Sequence, residues 1–355
     1  MTTTDSAAAD AADALGFGQH FTPHLVSGTW SDENGWSELA LEPYGPLVVD
    51  PATVGLHYGQ VVFEGLKAYR QQDGRVAVFR PDEHGRRFAA SARRLAMPEL
   101  PVDSFVNAVR TLVTADWESV PEAEGQSLYL RPLMFASEAN LALRPARSYR
   151  FVTMAFRAGS FFDPSAPAVS VWASREYARA IPNGTGAAKC AGNYGATLLA
   201  QAEAAEHGCQ QVLWLDSREH RWVEELGGMN LFYVRGSGPS ARVMTPPLTG
   251  TLLAGVTRAS LLTLATDLGL EIADEPITLD ALRQGCESGE ITEVFACGTA
   301  AVVSPVGEVH TDDTSWKVGT GGPGPVTERL RQVLVDTYYG RAPDPHGWLL
   351  HVPTP

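Results

Sequence analysis

Lys189 stands in the run G-T-G-A-A-K-C-A-G-N-Y-G over 184–195, among small residues that cover it little and let another molecule approach its amine. A lysine in such a setting can form a Schiff base with a carbonyl compound, although by itself it reads as a solvated cation. A second group is Glu225 in E-L-G-G-M-N over 225–230, an acid set before a glycine turn that enters an apolar strand. A half-buried carboxylate there needs a cationic partner. Taken alone, Glu225 reads as an exposed strand-end acid like its neighbour Glu224. A third set suits an anion: Thr299 in C-G-T-A-A, the N–H groups of a helix start at G-V-T-R over 255–258, and an arginine.

An amine, an acid and an anion cup are the demands of pyridoxal 5′-phosphate, which needs an anion at its ring nitrogen and donors around its phosphate. Competing motifs fail on context. Gly319, Gly321 and Gly324 spell G-x-G-x-x-G, but no strand–helix–strand unit fits the few residues that remain and Pro323 and Pro325 interrupt, so a loop capping the last helix is expected. G-T-G-A-A-K-C is too short for a P-loop and puts Cys190 where Ser or Thr would hold magnesium. His20 and His24 are separated by Pro23, which breaks the helix that would align them, so no metal site is expected. Cys190, Cys209, Cys286 and Cys297 form no C-x-x-C pair and read as thiols of a reducing compartment.

The elements that must position these groups are short strands with helices inserted. G-L-K-A-Y-R and R-V-A-V-F-R flank Asp73-Gly74, which supplies the positive φ of a tight hairpin. Helices are predicted over 82–95 and 103–117, then strands at S-L-Y-L-R-P-L-M-F-A, Y-R-F-V-T-M-A-F and A-V-S-V-W-A-S-R-E. This is α+β grammar. A stretch ending in I-P-N-G-T-G-A-A reads as a linker over 173–188, which divides a first domain, 17–172, from a second, 189–355, that carries Lys189; residues 1–16 read as a disordered acidic tail. The second domain opens with a helix near Tyr194–Glu206, followed by a meander of Q-Q-V-L-W-L-D, R-W-V-E-E-L, M-N-L-F-Y-V and A-R-V-M-T. A helix from Gly255, one strand T-E-V-F-A-C-G-T-A-A-V-V-S-P-V and a last helix over 325–338 complete it.

The 355 residues, 44% hydrophobic and 19% charged, suffice for a packed core, and 27 basic against 41 acidic residues leave a net charge of −14. With no Lys or Arg in residues 1–66, neither a nucleic-acid nor an anionic-membrane surface is expected. No segment reads as a secretory signal or a membrane span, so a cytoplasmic protein is expected.

From about Phe17 to Trp348 the chain resembles the branched-chain-amino-acid aminotransferases of the fold-type IV pyridoxal-phosphate enzymes. The resemblance rests on HYGQVVFEGLKAYR, FRPDEHGRRFAASARRL, SLYLRP, KCAGNYGATLLAQAEAAEHGC, VEELGGMNLF, GVTRASLLTLA, EVFACGTAAVVSPV and DPHGW, in one order. It implies a two-domain D-amino-acid-aminotransferase-like architecture, a homodimer, and transfer of the amino group of Leu, Ile or Val to 2-oxoglutarate. It also implies roles: Lys189 as Schiff-base lysine and proton shuttle, Glu225 at the pyridine nitrogen, Tyr194 at the ring oxygen. Arg87, Thr299 and the main chain of Val256 and Thr257 would hold the phosphate, with Gly228 standing where some members have a threonine that contacts it. Without the resemblance, Arg86 and Arg87 read as a solvated helix face. Tyr58, Phe63, Tyr129 and Arg131 would line the substrate side, with Arg131 accepting the distal carboxylate of glutamate, and Met229 and Ala300 would lie near the substrate carboxylate. Residues 301–304 read A-V-V-S where some members carry a C-x-x-C pair, so no thiol switch is expected. A D-amino-acid aminotransferase or an aminodeoxychorismate lyase would use the same lysine and acid, and a catalytically silent pyridoxal-phosphate binder would keep the fold.

Overall fold

Strands β1 (Phe21–Ser31), β2 (Gly35–Trp36), β3 (Ala40–Pro43), β4 (Val61–Phe63), β5 (Leu66–Arg70), β6 (Val76–Phe79), β7 (Ser127–Ala136) and β8 (Ser148–Ala158) build an antiparallel sheet together with the strand Leu349–Val352. The structure, a computed structural model, describes residues 17–163 and 165–354, so the tail expected over 1–16 lies outside the described residues. The sheet runs Leu349–Val352, β6, β5, β7, β8, β1, β2, with β3 paired to β1 and β4 to β7. Its period of two sorts β7: Leu128, Leu130, Met134 and Ala136 enter the core, whereas Tyr129 and Arg131 take the opposite face. The helices Pro81–Arg94 and Val102–Ala115 close that core with Phe88, Ala92, Phe105, Val109 and Leu112. Both helices and the 65–80 hairpin agree with the sequence pattern. The eleven-residue β1 went unread because Pro23 and Gly28 interrupt its apolar alternation, and its register does shift between Phe21 and Leu25.

In a second unit, β9 (Val169–Ala173), β10 (Gln211–Leu215), β11 (Val223–Leu226), β12 (Met229–Arg235), β13 (Arg242–Thr245), β14 (Glu271–Asp274), β15 (Ile291–Gly298), β16 (Val302–His310) and β17 (Ser315–Lys317) form the other sheet. Its order is β11-β10-β9-β16-β15-β12-β13-β14, with β17 on β16. Because β11 also pairs with β12, the first six strands close on themselves. Most pairs are antiparallel, and β9 adds parallel pairs with β10 and β16, as β13 does with β14. Val171, Leu213, Leu215, Leu231 and Ala296 fill the interior, while Trp172, Val212 and Trp214 face outward onto the helix Leu198–Glu206. The α+β class holds for both units. The single strand expected over 292–306 is two strands, broken by a turn at 299–301.

The compact units take the described residues of Met1–Phe161, Ala188–Ala191 and Asp336–Pro355 for the first, and Phe162–Ala187 with Gly192–Val335 for the second. This division falls elsewhere than the expected 173–188 linker, and Lys189 groups with the first unit. The reason is packing: Ala188 and Cys190 are buried in the first unit's core, and Cys190 bridges Val62.

Candidate active site

In the first unit the backbone of Lys189 is held on both sides. Its N–H donates to Ser91 Oγ (2.9 Å), and its carbonyl accepts the N–H of Phe63 (3.0 Å). With Ala188 and Cys190 buried to either side, alternation turns the half-buried Lys189 side chain away from the core, and Nζ lies 4.9 Å from the Phe63 ring centroid. Arg131 Cζ lies the same 4.9 Å from that ring and 5.5 Å from the ring of Tyr129. Both side chains therefore approach one aromatic ring. Arg131 Nε is buried with no hydrogen-bond partner among the described residues, a donor that an anion would satisfy. Tyr129 stacks on Phe156 (centroids 4.9 Å apart), and a β-carbon at Gly65 would collide with its hydroxyl. The structure thus gathers Lys189, Phe63, Tyr129 and Arg131. Tyr58, at the end of the helix Val54–Tyr58, is 47% exposed and donates its hydroxyl to the Leu141 carbonyl (2.8 Å).

One face of the helix Pro81–Arg94 organises this region. His84, Arg87 and Ser91 recur at i, i+3 and i+7, so they project to one side. Ser91 holds Lys189, while the other two hold Glu64, whose side chain is 0% exposed. Arg87 donates from Nε (2.7 Å) and Nη2 (2.8 Å) to the two Glu64 oxygens, a bidentate pair, and His84 Nδ1–H donates to Oε2 (2.8 Å). Burial alone would raise the Glu64 pKa, but the Arg87 guanidinium and the bonds from Arg87 and His84 hold it well below the usual carboxylate range. Burial pushes the His84 imidazole down, so it sits neutral beside the ion pair. The expected solvated face describes Arg86 only, which reaches Asp82 and Glu83 at the surface.

In the second unit a two-residue loop, Gly227-Gly228, joins β11 to β12, with Gly227 at φ +56° as a type II′ hairpin requires. Its register sets Glu225 opposite Asn230, and Asn230 Nδ2 donates to Glu225 Oε1 (3.2 Å) and to the Leu253 carbonyl (2.9 Å). The Leu253 N–H also donates to Glu225 Oε1 (2.6 Å), and Arg179 Nε sits 3.0 Å from Oε2 as an ion pair. Neither acid of the hairpin is exposed. Glu225 is 2% and Glu224 7% accessible, which corrects the reading of Glu224 as a surface residue. Two residues past Leu253, Gly255 packs on Asn230 Oδ1, and the helix Val256–Asp267 begins with no side-chain cap. The leading N–H groups of Val256 and Thr257 are therefore available to an anion. Tyr194 lies near the end of the helix Ala191–Gly195, and a β-carbon at Gly228 would lie 3.5 Å from its Cε1. Thr299 and Ala300 lie half-buried in the β15–β16 turn, and a β-carbon at Gly298 would meet Met229 Cγ at 3.3 Å.

The family model described as Amino-transferase class IV matches residues 61–309. The chain is 52% identical to a probable branched-chain-amino-acid aminotransferase of Streptomyces coelicolor and 51% identical to a branched-chain-amino-acid aminotransferase of Mycolicibacterium smegmatis. Each alignment covers 94% of this chain and 91% of the relative. The chain belongs to the class IV aminotransferases. Among solved structures, the branched-chain amino acid aminotransferase of Escherichia coli superposes with a TM-score of 0.77 at 30% identity, covering 92% of this chain and 98% of that one. The branched-chain aminotransferase of the thermophilic archaeon Thermoproteus uzoniensis, solved with norvaline, gives 0.75 at 25% identity, covering 92% and 100%.

For this class IV chain, the sequence motifs missed the residues that hold the expected ones: Glu64, His84 and Ser91 in the first unit, Arg179 and Asn230 in the second. Glu64 and Asn230 lie inside recognised blocks, yet Glu64 meets His84 and Arg87, 20 and 23 residues away, and Asn230, five residues from Glu225, also ties Leu253, 23 residues away, so only the fold reveals these pairings. The competing motifs resolve as well. Glu293 fills the start of the last helix, accepting the N–H groups of Val326 (3.0 Å) and Thr327 (2.7 Å) and the Thr327 hydroxyl (2.7 Å), where a G-x-G-x-x-G site would need a phosphate. His24 is hydrogen-bonded to Asp116 (2.6 Å). All four cysteines are thiols. Burial pushes Cys209 and Cys286 up to about 11.

Proposed function

We propose that this protein transfers the amino group of branched-chain L-amino acids to 2-oxoglutarate, giving branched-chain 2-oxo acids and L-glutamate, with pyridoxal 5′-phosphate as cofactor. The observation that carries the reading is the 52% identity to a branched-chain-amino-acid aminotransferase over 94% of the chain. The donor set suits the cofactor. A carboxylate as buried as Glu225 suits a pyridinium, the uncapped helix start at Val256 and Thr257 suits a phosphate, and Arg87 is already aligned by Glu64.

Bound there, pyridoxal phosphate supplies the carbonyl that captures an amino group and the ring that draws electrons from the substrate Cα. Lys189 Nζ would hold the cofactor's carbonyl carbon and would take and return the proton on the substrate Cα. Glu225 keeps the ring nitrogen protonated, and Tyr194 donates to the ring oxygen. Arg87, Thr299 and the N–H groups of Val256 and Thr257 hold the phosphate, while Gly228 leaves room beside Tyr194. Tyr58, Phe63 and Tyr129 give the substrate side chain an apolar surface, Met229 and Ala300 border its carboxylate, and Arg131 meets the distal carboxylate of glutamate. A homodimer belongs to the same family reading, and a cytoplasmic location suits four thiols.

The test is the visible spectrum of the purified holoenzyme with L-leucine and, separately, D-alanine, followed by release of L-glutamate from L-leucine and 2-oxoglutarate. A spectral shift with L-leucine together with glutamate release is expected. A shift only with D-alanine would move the substrate to the D series, and no visible band after adding pyridoxal phosphate would remove the cofactor.

A further inference from the structure

Glu224 is the buried carboxylate of the hairpin that the proposed chemistry does not use. It neighbours Glu225 on β11, whose register against β10 shifts between Leu213 and Leu215. Thr251 Oγ1 donates to its Oε1 (2.5 Å), and no hydrogen bond reaches its Oε2 among the described residues. The cation nearby, Arg179, is committed elsewhere: Nε faces Glu225 Oε2 at 3.0 Å, and Nη2 donates to the carbonyls of Gly186 and Thr251. Two buried carboxylates thus share one guanidinium, and Glu224 lacks the counter-charge that burial demands. Burial pushes its carboxyl above the usual range against the opposing Thr251 bond and the field of Arg179, while Asp216 adds to the rise.

Glu224 and Thr251 line a cavity of about 510 Å³ within the second unit together with Asp216, Ser217, Arg218 and Thr249, and the rest of its wall is apolar, with Trp222, Leu252, Pro182 and Pro246. That volume lies within the range of small-molecule sites. Asp216 already accepts the N–H groups of Arg218, Glu219, Arg221 and Trp222, and the two acids of the lining outnumber its one arginine, so Glu224 beside the proline and tryptophan surfaces selects a ligand with a cationic head and a hydrophobic body, and the indole face adds its own attraction for the cation. We propose that this cavity is a binding site for a small organic ammonium ion carrying an apolar group, seated with its N–H on Glu224. The site is independent of the transaminase reading, because neither Glu224 nor its cavity serves the proposed chemistry.

The probe is N,N-dimethylbenzylamine, a tertiary amine that cannot condense with a carbonyl, titrated into the holoenzyme at neutral pH by isothermal calorimetry. Saturable one-to-one binding is expected, at least about tenfold weaker in Glu224→Gln, which keeps the side-chain shape and the Thr251 bond but removes the charge. N,N-dimethylbenzamide, neutral and of similar shape, is the second comparison, and wild type is expected to prefer the amine by about tenfold or more, a result that does not depend on how the variant folds. Absence of saturable amine binding, equal affinity for amine and amide, or equal amine affinity in a folded Glu224→Gln protein would each overturn the proposal.

Discussion

Replacing Glu64 by Gln tests whether the buried carboxylate organises Arg87 and His84 in the first unit. Glu64 is fully buried and accepts four hydrogen bonds, two from Arg87 at 2.7 and 2.8 Å, one from His84 at 2.8 Å and one from the Gly65 N–H at 3.1 Å. Glutamine retains one acceptor, turns an N–H group toward another donor and leaves the Arg87 guanidinium, itself 12% exposed, without its counter-charge. Removing one partner of such a pair costs about 3–5 kcal/mol, against about 0–1 kcal/mol for an exposed one. Urea unfolding followed by circular dichroism at pH 7 should show the larger loss. The pH dependence has a defined sign. His84 is held below the ordinary imidazole value of 6.5, so its contribution is full above that value and fades as pH falls through it. Glu64 is held below the ordinary 4.5, so its contribution persists above 4.5 and fades on further acidification, and Glu64→Gln should erase this second component. A loss under about 1 kcal/mol with an unchanged acid limb would refute the reasoning.

Lys189→Ala should remove the visible cofactor band and lower turnover by on the order of 10²–10⁴-fold or more, measured as glutamate release; a retained band would assign the amine elsewhere. Arg131→Ala should slow the half reaction with L-glutamate far more than that with L-leucine, read by single-turnover absorbance, and equal slowing would remove its part in recognising the distal carboxylate. Gly228→Thr adds a β-carbon at an ordinary 3.5 Å from Tyr194 on a residue of negative φ, so stability should change by less than about 1 kcal/mol. The added hydroxyl should slow phosphate-limited cofactor loss, checked by dialysis against excess inorganic phosphate.

Much of this molecule is legible because its local signals agree with its long-range ones. The helices Pro81–Arg94 and Val102–Ala115 carry apolar residues at helical spacing, and Gly227 marks the hairpin that aims Glu225. What stays hidden is set by partners remote in sequence. Nothing near Lys189 announces that Ser91, 98 residues earlier, accepts its N–H, or that the 188–191 segment packs with the first unit. Glu224 and Glu225 are indistinguishable as letters, and only the register of β11 against β12 gives Glu225 its partner Asn230.

The two glycine-led helix starts of the sequence separate on the same physics. Each exposes N–H groups that need an acceptor. At Val326 and Thr327 the protein supplies its own, since Glu293 accepts both N–H groups and a β-carbon at Gly324 would collide with that carboxylate. The glycine there makes room for a side chain of the protein. At Val256 and Thr257 no side chain caps the helix among the described residues, and Gly255 is instead pressed against Asn230, the residue that also contacts Glu225. One helix start is thus closed by a carboxylate 33 residues before Val326, whereas the other is bonded through Asn230 and Leu253 to the buried acid. A glycine motif before a helix therefore carries information about an anion only when the acceptor already present in the fold is known.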